Sequence, residues 1–219
     1  MYKAVIFDLD GTLLDTLPDL KNSINEALKI NGYNISYTYE ETMWLVGSGI
    51  KMLCRRAINK FDPTDEEVER LFADFTRIYK ERQLDETRLY KNVKNVLFSL
   101  KKDGFKVCVL SNKVEKNVKE ILKFYLPDFT FDIVVGQRVN VPIKPDPTSL
   151  NNIIEELEIT REEILYVGDS DVDMIVASNA SIDCVGVTYG YRPKEILEKY
   201  NPKYLIDDIL KILEIVKNK

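Results

Sequence analysis

Two aspartates directly follow the first apolar segment of the chain, and this arrangement limits the possible folds more than any other feature. Residues 2–7 read Tyr-Lys-Ala-Val-Ile-Phe, a β-branched and aromatic run that predicts a buried strand. Asp8 and Asp10 follow two positions apart, so their side chains leave an extended chain on the same side. Because like charges this close repel each other, the pair indicates either a bound cation or a nucleophile beside an acid–base group.

The same segment also has a simpler interpretation as a turn. Gly11 and Thr12 follow Asp10, and Asp-Gly is a common turn sequence. In open α/β sheets, however, ligands bind where strands end at their carboxyl side. The functional interpretation therefore depends on whether later segments supply matching side chains at the same edge.

Composition excludes several classes of function. The chain has 219 residues, a net charge of −5 and no histidine. The absence of histidine removes Ser-His-Asp, Cys-His and histidine–metal chemistry. The negative net charge disfavours nucleic-acid binding. Cys54, Cys108 and Cys184 lack disulfide or zinc-site spacing. The first residues show no secretion-signal pattern, and no apolar stretch approaches the about 18 residues of a membrane span. We therefore expect a cytoplasmic protein without a membrane partner.

Alternating strand and helix patterns predict a doubly wound α/β fold with a parallel sheet. A block with only helical periodicity interrupts this alternation after the first strand. The predicted domains are a discontinuous core of residues 1–16 and 89–219 and a small helical domain of residues 17–88. The predicted strands are residues 2–7, 105–110, 131–135, 164–167, 184–187 and 204–206.

Two later segments carry groups suited to phosphate. Ser111 and Asn112 follow the strand predicted to end at Leu110, where a hydroxyl, an amide and the N–H groups of a helix start suit a phosphate oxygen. A helix N-cap is the alternative for Ser111. Lys144 lies between prolines in Val-Pro-Ile-Lys-Pro-Asp-Pro, which hold it on a defined path, although a solvated loop lysine is equally consistent.

A third segment carries more carboxylates. Asp169, Asp171 and Asp173 follow the strand ending at Val167, and together with the first pair they favour a site for a hard cation. Their spacing also matches the start of a calcium-binding loop. That alternative fails because the positions for its glycine and its final glutamate hold Met174 and Ala180.

Taken in order, these segments resemble the four motifs of the haloacid dehalogenase-like (HAD) hydrolase superfamily. The motifs are Asp-Leu-Asp-Gly-Thr, Ser-Asn-Lys, Lys-Pro-Asp-Pro and Gly-Asp-Ser-Asp-Val-Asp, and the resemblance covers essentially the whole chain. The helical block is similar to the small helical cap of one subfamily. Within the superfamily, Leu-Val-Gly-Ser-Gly and Ser-Asn-Lys are most similar to phosphoglycolate phosphatases. One departure is Ser181, where relatives usually carry glycine at the end of a helix.

The resemblance implies a Mg²⁺-dependent phosphatase that works through an aspartyl-phosphate. It makes Asp8 the nucleophile and Asp10 the group that protonates the leaving alcohol and then activates water. Mg²⁺ would be bound by the Asp8 side chain, the Asp10 main-chain carbonyl and Asp169, with Asp173 supporting them. Phosphoryl oxygens would be held by Ser111, Asn112, Lys144, Gly11 and Thr12.

In the helical block, Gly47, Ser48 and Gly49 precede a predicted helix from Ile50 to Asn59. N–H groups there would suit a substrate carboxylate, such as that of 2-phosphoglycolate, but a plain helix break is the alternative. The nearby basic residues are expected to be solvated, and their role stays open: Lys51, Arg55 and Arg56.

Other functions remain to be distinguished. A phosphomutase similar to β-phosphoglucomutase shares every core residue, and a phosphatase for a nucleotide, sugar phosphate or pyrophosphate fits equally well. A response-regulator receiver domain is about half this length. A dehalogenase lacks the second acid, which is present here as Asp10. The sequence leaves the oligomeric state, monomer or homodimer, open.

Overall fold

The computed structural model describes residues 1–218, and the chain divides into two compact units. One unit comprises Met1–Leu14 and Leu89–Lys219, and the other comprises Asp15–Arg88.

The first unit is built on a six-stranded sheet in which every neighbouring pair is parallel. Its order is β5-β4-β1-β6-β7-β8, so the first strand lies at the centre. All six predicted strands are present. Their bounds are β1 Ala4–Phe7, β4 Lys106–Val114, β5 Ile133–Gln137, β6 Ile164–Gly168, β7 Asp183–Val187 and β8 Tyr204–Ile206.

The register of the sheet brings the functional segments to one edge. Phe7 at the end of β1 pairs with Val109 of β4 and with Val167 of β6. The chain runs from β1 to β4 and β5 on one side and then crosses to β6 on the other, so β1 lies at the point where the strand order reverses. The loops after these strands therefore meet at the position where open α/β sheets bind ligands.

Helices cover this sheet because each presents an apolar stripe to it. Core residues from β1, β4 and β6 pack with buried residues of α7 and α8 in one continuous cluster. The three cysteines are free and buried. The helices of this unit are α5 Val93–Lys102, α6 Glu115–Tyr125, α7 Thr148–Leu157, α8 Asp171–Asn179, α9 Lys194–Glu198 and α10 Lys211–Ile215.

The second unit is helical. Thr38 and Thr64 begin two of its helices with capping boxes, in which the threonine side chain and a glutamate three positions later satisfy free N–H groups. Buried Asp19 accepts hydrogen bonds from the N–H groups of Glu86 and Thr87 at 2.9 Å, which fixes the end of the unit. Its helices are α1 Leu17–Ile30, α2 Tyr39–Met43, α3 Ile50–Ile58 and α4 Asp65–Arg82.

Two short strands contain the residues at which the chain passes between the units. They are β2, Leu14–Asp15, and β3, Arg88–Leu89, and they form a two-stranded sheet. No described helix is long and apolar enough to cross a membrane.

One predicted boundary in the first unit is wrong. The strand expected to end at Leu110 continues to Val114, and α6 begins only at Glu115. The pairing of β4 with β5 shifts between Leu110 and Val114, where a β-bulge or similar irregularity interrupts the register. Because Ser-Asn-Lys has weak strand propensity, the sequence pattern ended too early. Ser111 and Asn112 consequently lie within a strand, and the N–H groups of a helix start are not beside them.

Candidate active site

Asp8 lies directly after β1 and is paired with Lys144. The Lys144 Nζ atom is 2.8 Å from Asp8 Oδ1 and 2.7 Å from Asp173 Oδ1. The Lys144 side chain is only 3% exposed and that of Asp8 is 11% exposed. A buried ammonium group is stable here because two carboxylates compensate its charge. The alternative interpretation of Lys144 as a solvated loop lysine is therefore wrong.

Burial and charge together set the protonation of this pair. Burial raises the pKa of Asp8, and the negative charge of Asp173 adds to the shift while the ammonium group of Lys144 opposes it. For Lys144, burial alone would lower the pKa, but the carboxylates of Asp173 and Asp8 outweigh it and raise that pKa above its ordinary value. These two carboxylates therefore favour the charged form of Lys144 beside Asp8.

Asp169 is held in place by the chain around it. Its carboxylate accepts hydrogen bonds from the Thr12 hydroxyl at 3.1 Å and from the Tyr191 N–H at 2.8 Å. Burial and the charge of Asp173 raise the pKa of Asp169 to about 7, although the hydrogen bond from Tyr191 opposes this shift. Gly11, at φ 89°, passes so close that a Cβ atom there would lie 2.3 Å from Asp169 Oδ2. Only glycine fits this approach.

Asp173 lies at the start of α8 and links the helix to the site. Ser170 caps the helix, and its N–H and hydroxyl donate to Asp173 Oδ2 at 3.1 and 2.6 Å. The other oxygen, Oδ1, accepts hydrogen bonds from the Tyr166 hydroxyl and the Lys144 ammonium group at 2.9 and 2.7 Å. Asp171 points elsewhere and pairs with Arg192 at 3.1 Å.

Asp8, Asp169 and Asp173 form a cluster that is suited to a metal ion. One carboxylate oxygen from each lies within 4.8 Å of those from the other two, and all three residues are buried. Burial first, and repulsion from the Asp173 carboxylate second, raise the pKa values of Asp8 and Asp169. A donor set made only of oxygens suits a hard divalent cation, which would relieve this repulsion.

Asn112 is positioned by the backbone of Lys144. Its amide nitrogen donates to the Lys144 carbonyl at 2.9 Å, and its carbonyl oxygen accepts from the Lys144 N–H at 2.8 Å. This reciprocal pair fixes the loop that presents Lys144, which is followed by a cis peptide bond to Pro145. The Ser111 hydroxyl accepts a hydrogen bond from the Lys113 N–H at 3.2 Å.

Asp10 has a partner that the sequence analysis missed. The Lys113 Nζ atom lies 2.9 Å from one Asp10 carboxylate oxygen and 3.2 Å from the other. The two residues lie 103 positions apart, so no local sequence signal could have paired them. Tyr166 was also missed, since its hydroxyl lies inside an otherwise apolar strand and gives no separate signal.

The glycine loop of the helical unit is held by Arg56. Its guanidinium group donates to the carbonyl oxygens of Leu45 and Val46 at 3.0 and 3.2 Å and to the Ser48 hydroxyl at 2.9 Å. Gly49 caps α3 with φ 79°.

The other two basic residues of α3 make different contacts. Lys51 pairs with Glu69 and Arg55 pairs with Asp65. The expectation that all three basic side chains are merely solvated is therefore wrong for Arg56, whose hydrogen bonds organise the loop.

Comparison with known proteins agrees with this geometry. The family model described as haloacid dehalogenase-like hydrolase matches residues 5–187. A phosphoglycolate phosphatase from Mannheimia succiniciproducens is 34% identical, with 98% of each chain covered. One from Vibrio cholerae is 33% identical, with 98% of this chain and 96% of the relative covered.

A solved structure from Haemophilus somnus, described as a predicted phosphoglycolate phosphatase, is 34% identical and has a TM-score of 0.90 over 98% of this chain and 97% of its own. The similarity extends over 98% of the chain, and the range 5–187 matched by the family model contains the aspartates after β1 and β6. The chain therefore belongs to the haloacid dehalogenase-like hydrolase family.

Proposed function

We propose that this protein is a Mg²⁺-dependent phosphatase that hydrolyses a small phosphorylated metabolite, 2-phosphoglycolate being the leading candidate. The observation that carries the proposal is the buried Asp8 carboxylate, 2.8 Å from the ammonium group of Lys144 and within a cluster of acids. The relatives named phosphoglycolate phosphatase support the choice of substrate.

In the first step, an Asp8 carboxylate oxygen attacks the phosphorus atom, and the bond from phosphorus to the ester oxygen breaks. Asp10 gives its proton to the departing alkoxide, so that an alcohol leaves. The product is an aspartyl-phosphate on Asp8, which divides one difficult displacement into two easier ones. Lys144 compensates the negative charge that would otherwise keep the phosphoryl group away from Asp8.

In the second step, Asp10 takes a proton from a water molecule while the water oxygen attacks the phosphorus atom. The bond between phosphorus and the Asp8 oxygen breaks, which releases inorganic phosphate and restores the Asp8 carboxylate. Asp10 is protonated again and ready for the next substrate. The same residue therefore serves as acid and then as base.

Mg²⁺ would be held by the carboxylates of Asp8 and Asp169 and by the main-chain carbonyl of Asp10, with Asp173 beside them. When bound, it would supply positive charge that screens the attacking carboxylate from the phosphoryl oxygens. The buried oxygen donors Asp8, Asp169 and Asp173 support this assignment.

The phosphoryl group would be oriented by groups around Asp8. We assign this role to the Ser111 hydroxyl, to Lys144 and to the backbone at Gly11 and Thr12. Asn112 contributes indirectly, because both ends of its amide contact the Lys144 backbone.

We assign substrate choice to the helical unit, with residues 17–88 as a cap domain and residues 1–16 and 89–219 as the catalytic core. In this proposal, the loop Gly47–Gly49 receives the substrate carboxylate through its N–H groups. The hydrogen bonds of Arg56 support it, because they fix the loop conformation. The buried free thiols fit a reducing cytoplasm.

The test is a screen of phosphomonoesters in the presence of Mg²⁺, with product analysis. We expect kcat/KM for 2-phosphoglycolate to exceed that for sugar phosphates and nucleotides by at least about tenfold. Release of inorganic phosphate separates hydrolysis from the phosphomutase alternative, which would instead yield an isomeric sugar phosphate. If the enzyme prefers another phosphomonoester, the proposed mechanism would still hold but the proposed substrate would be wrong.

A further inference from the structure

Lys113 is a buried charged residue that the mechanism above leaves without a role. It lies in β4, and its side chain is only 3% exposed. Its ammonium group contacts both carboxylate oxygens of Asp10, at 2.9 and 3.2 Å. Removing an ammonium ion from water is costly unless an anion compensates it, so the position of Lys113 is tied to that of Asp10.

We propose that Lys113 is a positioning residue that holds the Asp10 carboxylate in place for the hydrolysis of the aspartyl-phosphate. The proposal rests on the function proposed above, in which Asp10 activates water in the second step. It gives Lys113 no contact with the substrate. Its effect is exerted through Asp10.

The geometry of the pair indicates which half of the reaction it serves. Both Asp10 oxygens lie within hydrogen-bond distance of the same ammonium group. One ammonium group contacting both oxygens restrains the carboxylate against rotation, and an ionised carboxylate, the form that acts as a base, offers two equivalent acceptors for such a contact. Asp10 is ionised when it accepts a proton from water and protonated when it supplies one to the leaving group. We assign the contact to the water-activating step because the restraint on the carboxylate is the same one that a base needs in order to aim a lone pair at water.

The exposure of Asp10 explains why such a restraint is useful. Its side chain is 22% exposed, compared with 3% for Lys113, so packing confines it less than its partner. A catalytic base must present a lone pair to the attacking water in a narrow range of orientations. A bidentate contact with a buried cation fixes the carboxylate plane before water arrives.

The two steps can be separated with p-nitrophenyl phosphate. Its leaving group departs without a proton, so kcat/KM reports the formation of the aspartyl-phosphate without an acid. The value of kcat also includes the hydrolysis of the intermediate. A residue that acts only through the base form of Asp10 should therefore change kcat and leave kcat/KM nearly unchanged.

The experiment measures both constants and the acid-quenched phosphoenzyme for Lys113→Met with Mg²⁺ present. We expect kcat to fall about tenfold or more, kcat/KM to stay within about threefold, and phosphoenzyme to accumulate. In an Asp10→Asn background, adding Lys113→Met should change kcat less than about twofold, because the two residues act as one unit. Lys113→Gln, which keeps a hydrogen-bond donor of similar length, provides a second variant if Lys113→Met is unstable.

Lys106→Met is the matched control, since Lys106 lies on the same strand and pairs with Asp132 at 3.2 Å. It should leave both constants unchanged. Equal losses of kcat and kcat/KM in a folded Lys113 variant would overturn the proposal, because they indicate substrate contact or general damage to the site. Unchanged kinetics would also overturn it. If the unaltered protein fails to hydrolyse any phosphomonoester, the proposed function itself is wrong.

Discussion

The ammonium nitrogen of Lys144 lies 2.8 Å from Oδ1 of Asp8, with both side chains almost withdrawn from solvent. An isolated carboxylate at this depth would be strongly disfavoured in its charged form. In the proposed mechanism this cation would keep Asp8 usable as a nucleophile, and Asn112 holds the loop of Lys144 through its backbone. In this proposal, the reactivity of Asp8 depends on Lys144, a residue from a distant part of the chain.

Replacement of Asp8 should abolish the reaction. We expect Asp8→Asn to lower kcat by at least about a thousandfold and to form no phosphoenzyme, because the attacking oxygen is lost. Asp10→Asn should still form some phosphoenzyme from p-nitrophenyl phosphate but should release phosphate slowly. Rapid-quench kinetics on folded variants measure both effects. Near-native turnover of Asp8→Asn would require a different nucleophile.

Removal of divalent metal should stop turnover. EDTA should abolish activity and added Mg²⁺ should restore it, since carboxylates alone repel a phosphate dianion. Asp169→Asn should raise the Mg²⁺ concentration for half-maximal activity at least about tenfold. Asp171→Asn is the matched control, because Asp171 pairs with Arg192 outside the cluster. Full activity in metal-free protein would refute the metal assignment.

The Arg56 contacts offer a test of substrate choice. Arg56→Met should raise KM for 2-phosphoglycolate several-fold, because the loop loses its hydrogen bonds to Leu45, Val46 and Ser48. Hydrolysis of p-nitrophenyl phosphate should change little. Arg55→Met, which instead removes a pair with Asp65, should leave both substrates unaffected. Equal losses of kcat/KM for both substrates would contradict a role of the loop in binding the carboxylate and would favour its interpretation as a plain helix break.

A bulky substitution of Gly49 tests the same loop less cleanly. Gly49 has φ 79°, a conformation that side chains strain, so Gly49→Val perturbs the loop backbone itself. We expect it to raise KM for 2-phosphoglycolate more than Arg56→Met does.

Ser181 is expected to hold the backbone in a strained conformation that glycine would relieve. It has φ 55° two residues after the end of α8, in the left-handed region that glycine adopts without penalty. Ser181→Gly should therefore stabilise the protein by about 0.5–1 kcal/mol, with unchanged kinetics. Thermal and urea unfolding measure the effect. A lower melting temperature would show that the serine side chain contributes more than its backbone strain costs.

Asp132 should make stability depend on pH in the acidic range. Burial opposes ionisation of Asp132, but hydrogen bonds from Lys101 and the Val107 N–H outweigh it and lower its pKa. A lowered folded-state pKa contributes stability that is present above the unfolded value, about 3.9, and is lost as pH falls through the folded value. Asp132→Asn should cost about 1 kcal/mol at pH 7. The difference in unfolding free energy between Asp132→Asn and the unaltered protein should shrink below about pH 4. Acid and thermal unfolding measure this difference.

The sequence by itself determined the sheet and the order of the motifs. Continuous apolar runs identify buried parallel strands, because such strands have no solvent-facing side to carry polar residues. An acid pair after the first of these runs, together with Asp169 after β6, then predicted a site at one edge, since parallel strands end on the same side. Glycine signals also marked α3 correctly, through Gly49 at its start.

Tertiary structure alone decided which polar groups meet. The strand β4 continues through Ser-Asn-Lys to Val114, which pairs with Gln137 of β5, although the local strand propensity is weak. That extension directs Lys113 to Asp10 and lets Asn112 hold Lys144. The Tyr166 hydroxyl reaches Asp173 only because β6 and the start of α8 pack together. Such contacts depend on distances between residues far apart in sequence, and local patterns carry no information about them.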